Sequence, residues 1–108
     1  MGTTTGEFER LVMIAILRLG DSAYGAAILE ELEDRSARAV ASGAVYMALK
    51  RLEKKGLISS ELGAPTPQRG GRAKRLVRLR PEGLAELKQA HAEWGRMTEG
   101  LDALLEGA

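Results

Sequence analysis

The chain has no cysteine and a single histidine, His91. Disulfides and thiolate metal sites are thereby excluded, and one imidazole cannot build a His-rich metal centre. No apolar run approaches the roughly 18 residues that a membrane span needs. The opening Met1-Gly2-Thr3-Thr4-Thr5-Gly6-Glu7 lacks the basic and apolar regions of a signal peptide, and Met1-Gly2 matches a myristoylation signal only loosely. No Ser-His-Asp, Cys-His or paired-carboxylate pattern stands out, so no catalysis, cofactor or metal is expected. Aromatic residues are few: one Phe, two Tyr and one Trp. That is too little for the stacking platforms that hold single-stranded RNA. These absences point to a cytoplasmic protein that binds rather than catalyses. A chain of 108 residues has room for one modest core.

What is present is a segregation of charge. Residues 42–80 carry ten Lys/Arg and two Glu, whereas 1–41 carry four basic and seven acidic residues and 81–108 carry two and six. The formal net charge of +1 hides a central segment of +8 between segments of −3 and −4. A basic helix followed by a basic hairpin is what the reading of nucleic acid requires.

From Glu7 to Leu19, Phe8, Leu11, Val12, Ala15 and Leu19 share one helical face, while Ile14, Ile16 and Leu17 spread apolar surface round the rest. Burial on more than one side is expected, one of them by a partner. Gly20 is the stop. Asp21 or Ser22 then caps a second helix to about Arg35, with Tyr24 and Gly25 in its first turn and Glu30-Glu31-Leu32-Glu33-Asp34 as its exposed end. Backbone N–H groups of that turn can meet a phosphate, or Tyr24 can simply pack under the helix. Residues 36–41 form a connection, with one extended pair around Val40. Ser42 caps a third helix that Gly56 ends. Val45, Ala48, Leu49 and Leu52 form its inward face, and Gly43, Tyr46, Met47, Lys50, Arg51 and Lys54 its outward one. A face so poor in acid, with a tyrosine among the cations, suits the second helix of a helix-turn-helix pair better than a merely solvated surface.

Leu57–Leu62 and Ala73–Arg80 read as paired strands, with Val77 and Leu79 facing the core. Gly70-Gly71 permits a hairpin tip, and Arg69, Arg72, Lys74 and Arg75 surround it, as in the wing of a winged helix. No Gly-Lys-Ser/Thr follows, so a P-loop is excluded. Pro81 and Glu82 open a final helix expected to reach about Glu106. Within it Leu87, Ala90, Trp94, Met97, Leu101 and Leu104 recur at alternating spacings of 3 and 4, a heptad seam. About 25 residues make a rod of roughly 37 Å, longer than the rest of the chain can cover. A second copy is therefore expected to bury the seam, together with Leu11 and Ile14. Gly95 and Gly100 weaken the rod and can bend it. The expected fold is mainly α with a small β-hairpin. It comprises a winged helix-turn-helix DNA-binding domain over 1–80 and a long dimerisation helix over 81–108.

Taken in order, Glu7-Phe8-Glu9, Ala23-Tyr24-Gly25, Gly43-Ala44-Val45-Tyr46, Leu49-Lys50-Arg51-Leu52-Glu53-Lys54-Lys55-Gly56-Leu57 and Arg69-Gly70-Gly71-Arg72-Ala73-Lys74-Arg75 form a specific combination. Over roughly residues 7–90 the chain resembles the PadR family of bacterial winged-helix transcriptional regulators, in its short form with one C-terminal helix. The resemblance implies a homodimeric repressor of its own or a neighbouring operon that reads a palindromic operator in double-stranded DNA. The third helix would enter the major groove and the wing would lie over the adjacent backbone or minor groove. By the same resemblance Tyr24 meets a phosphate, Ser42, Gly43, Tyr46 and Lys50 lie at the groove, and Gly70, Gly71, Arg72 and Lys74 belong to the wing. Arg51, Lys54, Arg69 and Arg75 complete the expected DNA-binding set. The family usually carries paired tyrosines in the strand after the wing, where this chain has Leu76-Val77. Trp94 is either a packing anchor of the seam or, as family members that sense small molecules imply, the wall of a pocket for a small hydrophobic or aromatic effector. His91 beside it reads as a surface or seam residue. The alternative is a winged-helix protein–protein adaptor, against which the charge segregation speaks.

Overall fold

A computed structural model describes residues 5–63 and 74–108. Three helices, α1 (Glu7–Leu19), α2 (Gly25–Ser36) and α3 (Ser42–Lys54), precede an antiparallel pair, β1 (Ile58–Leu62) and β2 (Arg75–Leu79). Two further helices follow, α4 (Pro81–Thr98) and α5 (Leu101–Gly107). Each of the first three turns an apolar stripe inward, and Val12, Met13, Ile28 and Leu52 meet at the centre with essentially no solvent contact. The inward face of α3 is the one its spacing dictates, with Val45, Ala48 and Leu52 buried and Leu49 partly so. Gly56 takes φ +77° just after α3, the left-handed turn for which glycine is suited.

In the hairpin Ser60 stands opposite Val77 and Leu62 opposite Arg75, and the Gly63 N–H donates to the Lys74 carbonyl at 2.7 Å. The other edge of β2 is also occupied. The Val77 N–H donates to the Ala23 carbonyl at 2.9 Å, and Tyr24 bridges to Leu76. The hairpin is thus joined through its backbone to the α1–α2 connection, which fixes where it leaves the domain.

Several local expectations differ from what is observed. α2 is not capped by Asp21 or Ser22, because Gly20–Ser22 form a 3₁₀ turn and Tyr24, in extended conformation, is the residue before the helix. The extended pair is at Tyr24 rather than Val40, since Ala23 and Tyr24 supply the partners that β2 needs. Ser42 is already inside α3: the Ala41 carbonyl accepts from the Ala44 and Val45 N–H groups, and no side chain caps the turn. The acidic end of α2 is not uniformly exposed, because Leu32 is a core residue. The final helix is broken. Gly100 adopts φ +73° between α4 and α5, a conformation that ends one helix before the next begins.

The two strands and α4 meet at one crowded point. The Leu57 carbonyl accepts from the Arg80 N–H at 3.0 Å, just where Pro81 opens α4. Gly83 then passes so close that a Cβ there would sit 2.1 Å from that oxygen. Beyond this junction Leu87 still reaches the core, while residues 91–97 are exposed all round. The radius of gyration is 16.0 Å and the longest dimension 56 Å, against about 13 Å for a compact chain of this size. Gly83→Ala is expected to cost about 2–3 kcal/mol, because backbone rather than a flexible side chain must yield. Thermal unfolding followed by circular dichroism checks this; an unchanged Tm would contradict the close approach.

Candidate nucleic-acid interface

The outward face of α3 presents Gly43, Tyr46, Met47, Lys50 and Lys54, all exposed, with Ser42 at its start. The Lys50 ammonium lies 5.5 Å from the centre of the Tyr46 ring. A second pair of the same kind stands at the base of the hairpin, where Lys74 Nζ is 5.4 Å from the Tyr24 ring centre. Each tyrosine thus holds a lysine by cation–π attraction and keeps it from ranging freely. Tyr24 is half-buried, and Gly25, Ala26, Ala27, Lys74 and Arg75 line a shallow groove beside it. That groove combines the N–H groups of a helix start with two cations. Arg69, Gly70, Gly71 and Arg72, expected at the hairpin tip, lie outside the described residues.

The cations of the basic segment fall into two sets. Arg51 Nε and Lys55 Nζ each approach Glu9 of α1 at 2.8 Å, and the Gly6 N–H donates to the same carboxylate at 3.3 Å. Glu9 is only 6% exposed. Burial pushes its pKa up, but the hydrogen bonds from Lys55, Arg51 and Gly6 outweigh that and hold it below the usual glutamate value. Arg78 reaches Asp21 at 3.0 Å and Glu61 at 3.8 Å, and Arg80 reaches Glu82 at 3.5 Å. Among the described residues no carboxylate lies within ion-pair distance of Lys50, Lys54, Lys74 or Arg75. Arg75 donates to the Ser60 hydroxyl at 3.1 Å, which in turn reaches Glu53 at 3.2 Å, so a polar chain links the hairpin to α3.

Arg51 is therefore placed differently from its neighbours in the expected DNA-binding set. It belongs first to the joint between α1 and α3. Glu9 was not among the expected site residues, and its partners lie 42 and 46 positions away, beyond any local spacing. Its one sequence signal is an acid three residues after Gly6, at a helix start.

Leu11, Ile14, Leu87, Ala90 and Trp94 do converge. With Glu7, Arg10 and His91 they line a groove of about 480 Å³ between α1 and α4. Trp94 is 68% exposed and Met97 75%. Leu101 and Leu104 stand on α5, past the break, and Leu104 is also largely exposed. Among the described residues no helix is long and apolar enough to cross a membrane.

Three helices with a hairpin joined back to the α1–α2 connection define a winged helix. The model of the transcriptional regulator PadR-like family matches residues 13–89, and the chain belongs to that family of transcriptional regulators. A PadR family transcription regulator from Clostridium difficile R20291 is 31% identical with TM-score 0.72, the match covering 91% of this chain and 98% of that one. A PadR family transcriptional regulator from Eggerthella lenta DSM 2243 is 30% identical with TM-score 0.69, over 94% and 88% of the two chains. A PadR-like regulator from Bacillus cereus ATCC 14579, at 23% identity and TM-score 0.74 over 94% and 93%, shares the fold. No curated protein matches the chain.

Glu9→Gln is expected to lower stability at neutral pH by about 1–2 kcal/mol, allowing for the half-exposed Arg51. Because the folded-state pKa of Glu9 is depressed, its contribution is complete above the ordinary glutamate range. It drains away as pH falls through the lower folded value. Urea unfolding from pH 7 downward should therefore show the two proteins converging in acid; a constant gap would contradict the assignment.

Proposed function

We propose that the chain is a homodimeric repressor that binds a palindromic operator in double-stranded DNA in the bacterial cytoplasm. The observation that carries this reading is the set Lys50, Lys54, Lys74 and Arg75. In a segment whose other described cations are occupied by carboxylates, these four are left facing outward from α3 and the hairpin base. Phosphates are the partner that such a set neutralises, and affinity then falls steeply with salt. Tyr46, Met47, Lys50 and Ser42 on α3 are the groups offered to base edges in the major groove. Tyr24, with Lys74 and the first turn of α2, takes a phosphate. Arg69 and Arg72 add two more cations to the same segment. Arg51 contributes mainly by fixing the angle of α3.

The dimer forms through the groove of Leu11, Ile14, Leu87, Ala90 and Trp94 and through Met97, Leu101 and Leu104. So much exposed apolar surface on a protruding tail favours a second copy. Two reading helices then stand about 34 Å apart on one face of DNA. A small hydrophobic or aromatic effector that enters beside Trp94 changes this separation and relieves repression.

Lys50→Ala should lower affinity for operator DNA more than for unrelated DNA. Lys74→Ala should weaken both alike and flatten the dependence on salt by about one counterion. Fluorescence anisotropy at several salt concentrations separates the two; identical behaviour would contradict the division of roles. Leu101→Glu should give a monomer in light scattering with its helical content intact, and a persistent dimer would remove Leu101 from the seam.

A further inference from the structure

Ile58, Ser60 and Leu62 of β1 stand opposite Leu79, Val77 and Arg75 of β2. Side chains alternate across a strand, so these six share the face on which Ile58 and Val77 are buried. That face leaves the core along the hairpin: Ile58 is buried, Ser60 half-buried, Leu62 and Arg75 exposed. Ser60 and Arg75 are therefore diagonal neighbours at the margin of the core, within reach of the end of α3. Arg75 Nη1 donates to the Ser60 hydroxyl at 3.1 Å, and that hydroxyl donates to the Glu53 carboxylate at 3.2 Å.

Glu53 is the one acid of α3. It follows Lys50 by three residues and directly precedes Lys54, so it borders the cations offered to phosphate. A carboxylate in that position repels phosphate, yet it forms no ion pair with the cations beside it. A hydroxyl stands between it and Arg75 instead. The chemistry fixes the direction of this chain. A carboxylate only accepts, a guanidinium only donates, and a hydroxyl does both with one atom. Arg75 is thereby aimed without being neutralised by direct contact, and four of its five N–H groups remain for a phosphate oxygen.

We propose that Ser60 is a positioning residue for DNA binding: through it, Glu53 sets the direction of the Arg75 guanidinium relative to α3. The inference rests on the DNA-binding reading above and adds to it a residue that touches no DNA itself. Arg75 then meets the backbone at a fixed offset from the groove that α3 enters. An arginine held in this way has less rotamer freedom to lose on binding. Lys74, the preceding residue, is held separately by the Tyr24 ring. The two cations at the hairpin base thus take their directions from different places, Arg75 from α3 and Lys74 from the start of α2. On DNA where α3 is not seated in its groove, the fixed offset of Arg75 brings no advantage. Ser60 therefore serves preference for the fitting sequence more than general affinity.

Fluorescence anisotropy with a duplex from just upstream of the gene and a scrambled duplex tests this. Ser60→Ala should weaken binding to the upstream duplex about three- to tenfold. Binding to the scrambled duplex and the salt slope should change little, because no charge is removed. Ser60→Thr keeps the hydroxyl and suits a strand, so it should bind like the wild type. Ser59→Ala, on the opposite face of β1, should have no effect. In an Arg75→Ala background Ser60→Ala should add nothing, since the group it directs is gone. Unchanged upstream affinity in Ser60→Ala, or an equal loss with and without Arg75, would overturn the proposal. A wild type that does not distinguish the two duplexes would instead remove the DNA-binding reading on which it rests. Should Ser60→Ala not fold, Glu53→Ala decides. Loss of a negative charge alone would tighten binding to both duplexes alike, whereas loss of the relay lowers the preference for the upstream one. An unchanged preference would leave Ser60 without this role.

Discussion

The carboxylate of Glu9 lies almost out of water between α1 and α3, held by Arg51, Lys55 and the N–H of Gly6. A charge in that position is tolerable only because its partners satisfy it, and removing them would leave a costly orphan. The consequence reaches the surface. α3 carries Lys50, Arg51 and Lys54 near its end and Lys55 follows it directly, and Glu9 engages Arg51 and Lys55. The pair that remains, Lys50 and Lys54, lies on the face directed away from the core. One buried acid thus fixes the position of the helix and decides which of its cations look outward. The hairpin follows similar logic: Arg78 and Arg80 are engaged by Asp21 and Glu82, whereas Lys74 rests over the ring of Tyr24.

Counting charge along the chain found the basic segment but could not make this division, because it treats every arginine alike. Periodicity was a better guide. The inward face of α3 and the burial of Val77 follow from spacings of 3.6 and 2, which depend on neighbours in sequence. Helix starts were less legible. Ser42 and Ser22 are good capping residues by type, yet Tyr24 precedes α2 because the chain first forms a 3₁₀ turn and pairs with β2, and Ala41 precedes α3, whose first turn has no side-chain cap. Of the heptad positions on α4, Leu87, Ala90 and Trp94 line the groove with α1, while Met97 stands exposed. The heptad pattern ran on through Gly100, where glycine's freedom at positive φ divides the rod. The pairing of Glu9 with residues more than forty positions away left no local trace at all.

The molecule is asymmetric in how well its parts are covered. Leu57, Arg80 and Gly83 form a tight junction that anchors α4 on the winged helix, and from His91 onward the helix projects alone. The chain thus separates a packed part that holds α3 from a tail that is largely exposed.

The central claim is that the outward cations of α3 and the hairpin serve sequence-specific binding to DNA. The most direct measurement is a titration of the purified protein against DNA from just upstream of its own gene, with scrambled DNA of equal length as control, at two salt concentrations. The account predicts tight binding that prefers the upstream DNA and weakens markedly in the higher salt. Equal, weak and salt-insensitive binding to both DNAs would contradict it, and would direct attention to the hairpin as a surface for protein partners.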